Sequence, residues 1–264
     1  MKTREEKKNK LHTRYTLQQE RDMVEEFFHG CYPQSISREN VNRSSDSSIA
    51  LLSGPPSCGK TSLLFQFAVN SAFPSGSHDP VVFFICKRTR LEAKPPILSQ
   101  GLDASCDCFH RIHMKYIEDD EDLKRYFSAF HLHERPPSAV VIDDFAEFFD
   151  ERKCIEKYGN PRGRDLAMIR ALALCSSAVM HQNNSTKCRI LLCDTHQGDS
   201  PRLLYIYKRW VSSIFVIKGD GMGSFYVRAW DDDTNEEHKK VRIAKFCLAL
   251  HYLSLEEIVD NDDE

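Results

Sequence analysis

Residues 54–61 of the chain read Gly54-Pro55-Pro56-Ser57-Cys58-Gly59-Lys60-Thr61. The segment fits, without a mismatch, the phosphate-binding pattern in which four variable residues separate a glycine from a Gly-Lys-Thr group. Glycines let such a loop wrap around one point, so that backbone N–H groups and a helix N-terminus favour a polyphosphate there. The segment therefore predicts a nucleotide site in a P-loop fold.

The residues on either side of this loop fit the structural context of the pattern, which is a strand before the loop and a helix after it. Residues 49–53 form a short apolar run, and residues 61–71 place apolar side chains on one helical face. In this context we expect Lys60 to reach the β- and γ-phosphates and to act in catalysis, and Thr61 to bind Mg²⁺ through its hydroxyl. The residues expected to contact the nucleotide here are Gly54, Pro55, Pro56, Ser57, Cys58, Gly59, Lys60, Thr61 and Ser62.

Apolar runs that alternate with helical patterns predict the α/β fold class: a mainly parallel sheet with helices on both faces and an antiparallel edge. The run at 81–86 is apolar throughout, as a strand covered on both faces requires. Residues 241–250 fit a strand or a helix equally well. Further strands are predicted at 111–117, 139–144, 189–193, 214–217 and 225–227, and helices at 119–130 and 165–181.

An acidic residue closes the buried strand at 139–142. Four apolar residues followed by Asp143 have the form of the second nucleotide-binding motif, in which a carboxylate at the end of a strand holds Mg²⁺. We therefore expect Asp143 to share the metal with Thr61. Asp144, Glu147 and Glu151 follow closely, and one of them could orient a water molecule.

Length and composition suit one α/β domain with appendages. The chain has 264 residues, of which 41% are hydrophobic and 28% charged. Its net charge of −3 excludes a global basic field, so any nucleic-acid contact must come from local patches. Ten cysteines scattered through apparent core segments indicate reduced thiols, and no apolar targeting segment is found, so we expect an intracellular protein.

We expect three regions along the chain. Residues 1–48 form a basic arm, with six Lys or Arg among the first fourteen residues, a short helix at 17–28 and a Ser-rich linker. Residues 49–250 form the P-loop domain, and residues 251–264 an acidic tail.

Two nucleotide-binding classes can be weighed against the pattern. A guanine-specific protein needs an [NT]-K-x-D motif after a later strand, and the chain has none, which disfavours a GTPase. A P-loop kinase of a small molecule or nucleotide needs an arginine-bearing lid, and residues 160–164 (Asn-Pro-Arg-Gly-Arg) could be that lid or a loop that faces DNA.

With both motifs placed, the chain resembles the RecA-like recombinase paralogues, and among them the SWIM-protein-associated ATPase of the Shu complex in a plant-like version. The resemblance covers roughly residues 49–230. Beyond residue 150 it rests on the pattern of apolar and polar residues more than on identical residues. The segments that carry it are LLSGPPSCGKTSLLFQFA (51–68), VVFFICKR (81–88), RIHMKYIEDDEDLKRYFSAF (111–130) and AVVIDDFAEFFD (139–150).

This resemblance implies a nuclear accessory factor of DNA repair by homologous recombination, with the cytoplasm as a second location. Such a factor binds ATP and Mg²⁺, binds single-stranded DNA, and pairs with a SWIM-type zinc-finger protein to support filaments of a RecA-family recombinase or its paralogues. The implied activity is a weak, DNA-stimulated ATPase.

The chain departs from active recombinases at the end of the strand after the P-loop helix. There they carry a glutamate that activates water, whereas this chain has Cys86-Lys87-Arg88-Thr89, and a cation cannot be the base. Turnover should then be well below about one per second unless Glu92, Asp144 or Glu147 substitutes. The resemblance also implies a γ-phosphate contact at the end of a later strand, by Thr195 or Gln197.

Cations with interleaved aromatic residues suit a single strand of DNA, since the cations bind phosphate and the rings stack on bases. The resemblance places such contacts in the loop after the strand that ends at Asp143 and in the loop after the strand that carries Thr195. Tyr205 and Trp210 fit packing against the core equally well. The expected DNA contacts are Arg152, Lys153, Arg162 and Arg164, and then Arg202, Lys208 and Arg209 with Tyr205, Tyr207 and Trp210.

A group of thiols and imidazoles at 106–113 (Cys106, Cys108, His110 and His113) has zinc-ligand chemistry. Its spacing lacks the usual Cys-x-x-Cys knuckle. We therefore expect this group to belong to the core or to a connection, and expect no zinc site there.

Overall fold

The computed structural model describes residues 23–28, 49–74, 79–99, 102–103, 105–181, 188–196, 198, 203–230 and 241–261. The strands are β1 (Ile49–Gly54), β2 (Val82–Cys86), β3 (Ile112–Tyr116), β4 (Ala139–Ile142), β5 (Arg189–Thr195), β6 (Ser213–Gly219), β7 (Ser224–Ala229), β8 (Val241–Ala249) and β9 (Tyr252–Asn261). The α-helices are α1 (Lys60–Ala72), α2 (Arg88–Ala93), α3 (Asp120–Ser128), α4 (Glu151–Tyr158), α5 (Gly163–His181) and α6 (Leu204–Tyr207).

All of these strands join one sheet in the order β3-β2-β4-β5-β1-β6-β7-β8-β9. The strands from β3 to β6 pair in parallel, and the ladders from β6 to β9 are antiparallel. The prediction of an α/β fold with a mostly parallel sheet and an antiparallel edge is confirmed.

The two faces of the parallel part of the sheet are covered by different helices. Every residue of β1 is buried, and successive side chains enter opposite cores, Leu51 on one face and Leu52 on the other. The core around Leu52 contains α1, and the core around Leu51 contains residues of α3, α5 and α6. Cover on both faces is the reason that these strands are continuous apolar runs in the sequence.

Residues 23–28 pack on the domain and are not an independent arm. Val24, Phe27 and Phe28 are buried, and the Phe27 ring lies 6.3 Å from that of Phe67 in α1 and 5.7 Å from that of Phe215 in β6. The rest of the expected region 1–48 lies outside the described residues. The apolar face of this segment therefore contacts the main domain.

The C-terminal part of the chain differs from the expected acidic tail. Residues 241–249 are strand β8, and Tyr252–Asn261 pair with them as β9, so the expected boundary at residue 250 is wrong. Leu253 is fully buried and Leu255 packs on the same core, because strand alternation turns one face of β9 towards the sheet. The acidic residues of β9 lie on the outer side or in ion pairs, such as Asp260 with Arg242.

The cysteines among the described residues are free thiols, most of them buried, and none of them forms a disulfide. No helix in the same part of the chain has the length and apolar character needed to cross a lipid bilayer.

Candidate functional site

Several of the predicted site residues meet at one edge of the sheet. The carboxyl ends of parallel strands share an edge, and ligands of α/β proteins bind there. Here the loop 54–61 follows β1, Asp143 and Asp144 follow β4, and Thr195 ends β5, which lies between β4 and β1. These groups are far apart in the sequence, and the sheet order brings them together.

The loop after β1 is held in its shape by its glycines. Gly59 has φ 86°, a left-handed conformation that favours glycine, and a Cβ on it would lie 2.8 Å from Leu248 Cδ1. A Cβ on Gly54 would lie 2.9 Å from the Cβ of Ile217. The loop is therefore packed closely against β6 and β8, and larger residues at either position would push it outwards.

Lys60 is the first residue of α1 and its side chain turns back over the loop. The residue is only 5% exposed, and its Nζ donates hydrogen bonds to the carbonyls of Gly54 at 3.1 Å and Pro55 at 2.6 Å. The ammonium group is thus inside the loop, where a phosphate could replace the carbonyl oxygens as its partner.

The two motifs contact each other directly. The Thr61 hydroxyl donates to the Asp143 carboxylate, with Oγ1 3.2 Å from Oδ1 and 3.0 Å from Oδ2. A hydroxyl and a carboxylate at this separation are both hard oxygen ligands of the kind that Mg²⁺ prefers. The residues present therefore fit a magnesium ion shared by Thr61 and Asp143.

Asp143 is a buried carboxylate whose ionised form is poorly compensated. Burial raises its pKa to about 6, the neighbouring charge of Asp144 adds to the rise, and Arg90 and hydrogen bonds from Thr61 and Cys193 oppose it. Asp143 is only 4% exposed. A divalent cation at this carboxylate would stabilise its ionised form.

Asp144 has a different environment although it is the next residue. Its backbone is left-handed, with φ 45°, and its side chain is bound by residues of β5 and α2 instead of by Thr61. Thr195 Oγ1 donates to Asp144 Oδ1 at 2.7 Å, and Arg90 of α2 forms an ion pair with the other oxygen. The same Arg90 guanidinium also pairs with Glu147.

Three of the acidic residues considered for water activation, Asp144, Glu147 and Glu92, are paired with cations. Asp144 and Glu147 share Arg90, and Lys87 donates to the Glu147 carbonyl at 2.7 Å. Glu92 lies at the far end of α2 with a 64% exposed side chain and faces Arg88 at 3.9 Å. The structure therefore brings Asp144 and Glu147 to the site and leaves Glu92 on the surface.

A second buried polar network links β1 and β5, and it was not predicted from the sequence. Ser53 Oγ lies 2.7 Å from His196 Nδ1, and the His196 backbone N–H donates to the Gly54 carbonyl at 3.1 Å. The Tyr207 hydroxyl donates to Asp194 at 2.8 Å, and burial raises the Asp194 pKa to about 6. Polar residues at the ends of two apolar strands are the signal that could have indicated it.

Arg90 is another site residue that was not predicted from the sequence. It directly follows residues 86–89, and its partners Asp144 and Glu147 belong to the turn after β4. The expected γ-phosphate contact Thr195 is at the site and binds Asp144, whereas Gln197 lies outside the described residues.

Among the described residues, one group of possible metal ligands is close enough to bind a common ion: Asp143, Asp144 and Cys193, whose ligand atoms lie within 4.8 Å of one another. Burial raises the pKa of the Cys193 thiol far above its usual range, so the sulfur is a neutral neighbour of the carboxylates. Cys106, Cys108, His110 and His113 are not part of this group.

The expected DNA-contacting cations are only partly on the surface. Arg152, Lys153 and Arg162 are exposed, and so are Lys208 and Arg209, while Arg202 lies outside the described residues. Arg164 is different, because its guanidinium donates to the Ala146 carbonyl at 2.9 Å and is half-buried.

The aromatic residues of the same region also divide. Tyr205 is 64% exposed with its hydroxyl on Asp165 at 2.5 Å, and Trp210 packs partly into the core. Tyr207 is fully buried. The expectation that Tyr207 stacks on a base is wrong, because its ring fills the core and its hydroxyl serves Asp194.

Residues 160–164 do not have the form of an arginine-bearing lid. They are the tight connection between α4 and α5, and a Cβ on Gly163 would lie 2.3 Å from the Cys154 carbonyl oxygen. With Arg164 bound to Ala146, the segment offers Arg162 alone to a ligand. The close packing of α4 and α5 at this point favours a tight connection over a lid.

A comparison of the chain with protein-family models and with the curated proteins finds no match in either.

Proposed function

We propose that this chain is a P-loop protein that binds ATP with Mg²⁺ at the edge formed by the loop 54–61 and Asp143. The observation that carries the proposal is the hydrogen bond from Thr61 to Asp143, which joins the two halves of the expected site across 82 residues of sequence. A loop that fitted the pattern by chance would not be expected to face a buried acid in this way.

Each residue then has a defined task. The Lys60 ammonium exchanges the carbonyls of Gly54 and Pro55 for phosphate oxygens, and the loop amides and the first turn of α1 add further donors. Thr61 and Asp143 hold the magnesium ion, which neutralises phosphate charge when it is bound. Asp144 orients Thr195 and is not needed as a metal ligand in this arrangement.

We further propose that the protein acts as a RecA-like, ATP-binding accessory factor of homologous recombination in the nucleus. The support is the resemblance of residues 49–230 to recombinase paralogues together with the mostly parallel sheet and its antiparallel edge. In this proposal the partners are a SWIM-type zinc-finger protein, a RecA-family recombinase and single-stranded DNA. Phosphate contacts are offered by the exposed cations Arg152, Lys153, Arg162, Lys208 and Arg209.

Equilibrium titration of the full chain with labelled ATP, with and without Mg²⁺, tests the nucleotide proposal. We expect saturable, Mg²⁺-dependent binding that is lost in Lys60→Ala and retained in Lys94→Ala, a matched control because Lys94 is exposed and outside the loop. Absence of saturable binding by folded wild-type protein would refute the proposal.

The DNA part is tested separately by charge reversal of the exposed cations. Reversal of Arg162, Lys208 and Arg209 should weaken single-strand affinity and lower the slope of log affinity against log salt by about 0.7 for each phosphate that is no longer neutralised. Arg125→Glu serves as the control, since Arg125 is exposed on α3 and pairs with Asp122. An unchanged slope would remove these residues from the interface.

A further inference from the structure

One guanidinium holds both carboxylates that stand beside the metal-binding acid. Arg90 Nη2 pairs with Asp144, and Arg90 Nη1 pairs with Glu147. Arginine presents its N–H groups as a rigid planar fork, so that it can engage two carboxylates at once. The Arg90 side chain is 36% exposed, the Glu147 side chain 48%, and the Asp144 side chain 2%.

The rest of the local structure supports this bridge. Lys87, just before α2, donates to the Glu147 carbonyl at 2.7 Å and lies 5.9 Å from the Phe148 ring. Thr195 takes the other oxygen of Asp144. The short α2 helix is thus tied to the turn after β4 by two cations, and both ties end on residues that closely follow Asp143.

A general base must come within hydrogen-bond reach of the attacking water, so a carboxylate whose side chain is held in one position by an ion pair cannot turn freely towards that water. Arg90 pairs with one oxygen of each carboxylate, Oδ2 of Asp144 and Oε1 of Glu147, and so holds both side chains in place. Of the two, Asp144 would remain bound to Thr195 if Arg90 were absent, whereas Glu147 would lose its side-chain partner. The half-exposed Glu147 is therefore the carboxylate whose availability depends on Arg90.

We propose that Arg90 is a restraining residue of the nucleotide site, which keeps Glu147 from acting as a general base and so holds bound ATP unhydrolysed. The inference rests on the proposed function, because it concerns the fate of ATP at the same site. It makes the protein a nucleotide-binding switch whose hydrolysis is suppressed by one of its own side chains.

The suppressed step is hydrolysis of the terminal phosphoanhydride. A water oxygen forms a bond to the γ-phosphorus, and the bond between that phosphorus and the β–γ bridging oxygen breaks, its electron pair leaving with ADP. Glu147 takes the proton that the water loses and returns it to solvent. No oxidant or further reactant is needed.

The test is single-turnover hydrolysis of Mg²⁺-ATP by the full chain, with ATP affinity measured on the same samples. Arg90→Gln keeps an amide donor for Asp144 and releases Glu147, so we expect hydrolysis to rise at least about tenfold, within the range that general bases contribute. The Kd for ATP should stay within about threefold of the wild-type value. Arg90→Gln combined with Glu147→Gln should return the rate to the wild-type value.

Two more variants distinguish the role of the guanidinium geometry of Arg90 from that of its positive charge. Arg90→Lys retains the positive charge, but a compact ammonium cannot bridge two carboxylates as the guanidinium does. The ammonium should pair with the more buried Asp144 and release Glu147, so hydrolysis should rise in this variant too. Arg88→Gln is the matched control, because Arg88 lies on the same helix, pairs with Glu92 and stacks over Tyr116 at 4.4 Å. Its rate should equal that of the wild type.

The possible failures are distinguishable. If wild-type protein does not bind ATP, the proposed function and the inference fail together. If ATP binds normally to Arg90→Gln and Arg90→Lys and neither hydrolyses faster, only the inference fails. A large loss of ATP affinity in both variants without faster hydrolysis would instead identify Arg90 as a phosphate ligand and overturn the restraining role.

Discussion

Asp143 and Asp144 are adjacent in the chain and almost fully buried, yet their surroundings are opposite. Asp143 accepts a hydrogen bond from the neutral hydroxyl of Thr61. Asp144 accepts one from the Thr195 hydroxyl and also pairs with the Arg90 guanidinium. Burying a charge is costly unless it is paired, so we expect the charge of Asp144 to be better compensated than that of Asp143. The poorly compensated one is the better candidate for binding an ion.

The largest expected difference between the two aspartates is in metal-dependent nucleotide binding. Asp143→Asn should lower the Mg²⁺-dependent part of ATP affinity about 100-fold, roughly the value of a strong charge-assisted interaction. Asp144→Asn should change it by less than about threefold, since this residue serves Thr195 and Arg90. Titrations with ATP at fixed and zero Mg²⁺ measure both, and equal losses in the two variants would remove the distinction between the aspartates.

A second contrast is expected in the free energy of unfolding without ligand. Asp144→Asn should destabilise the protein by about 1–3 kcal/mol, less than for a fully buried pair because Arg90 is partly exposed. Asp143→Asn should stabilise it by something on the order of 1–2 kcal/mol, because a poorly compensated buried charge is removed. Urea denaturation at a pH of about 8, well above the Asp143 pKa, gives both values. Destabilisation by Asp143→Asn would show that its charge is compensated after all.

A smaller and more specific effect is the pH dependence of the Asp143→Asn difference. The pKa of Asp143 in the folded protein is raised to about 6, above its ordinary unfolded value near 3.9. Its protonated form therefore contributes stability that is fully present below about pH 4 and lost as the pH rises through about 6.

The variant should therefore match the wild type near a pH of about 4 and exceed its stability increasingly up to about pH 7. Asp194, whose pKa is also raised to about 6, is present in both proteins and cancels in the difference. Unfolding curves at several pH values measure the effect. A difference that does not vary with pH would assign the stabilisation to packing instead of charge.

Much of the sheet was predictable because its strands are buried on both faces. Residues 82–86 and 139–142 are apolar throughout, and their strand ends differ from the expected ones by one or two residues. The edge strand β9 was missed, since its exposed acidic residues resemble a solvated tail, and its apolar residues have partners only once β8 is in place. Residues 241–249 were ambiguous for the same reason.

The residues of the candidate site likewise fall into those that the sequence predicted and those that it did not. Lys60, Thr61 and Asp143 were predictable because the chemistry of phosphate and magnesium requires those residue types next to a strand end. Neither the position of Arg90 nor the separate environment of Asp144 has a local signature. Tyr207 was predicted to be a surface ring, although the depth of a ring in the core depends on the elements that pack around it.

The amino-acid sequence by itself determined the loop, its strand and helix, and the acid that faces it, because these follow from local periodicity and from backbone freedom at glycines. The tertiary structure alone decided which carboxylates keep their charge available, because that depends on which cation the folding of distant segments brings within a hydrogen bond. Arg90 and Glu147 are 57 positions apart in the chain, and only the pairing of β2 with β4 places their helix and turn side by side.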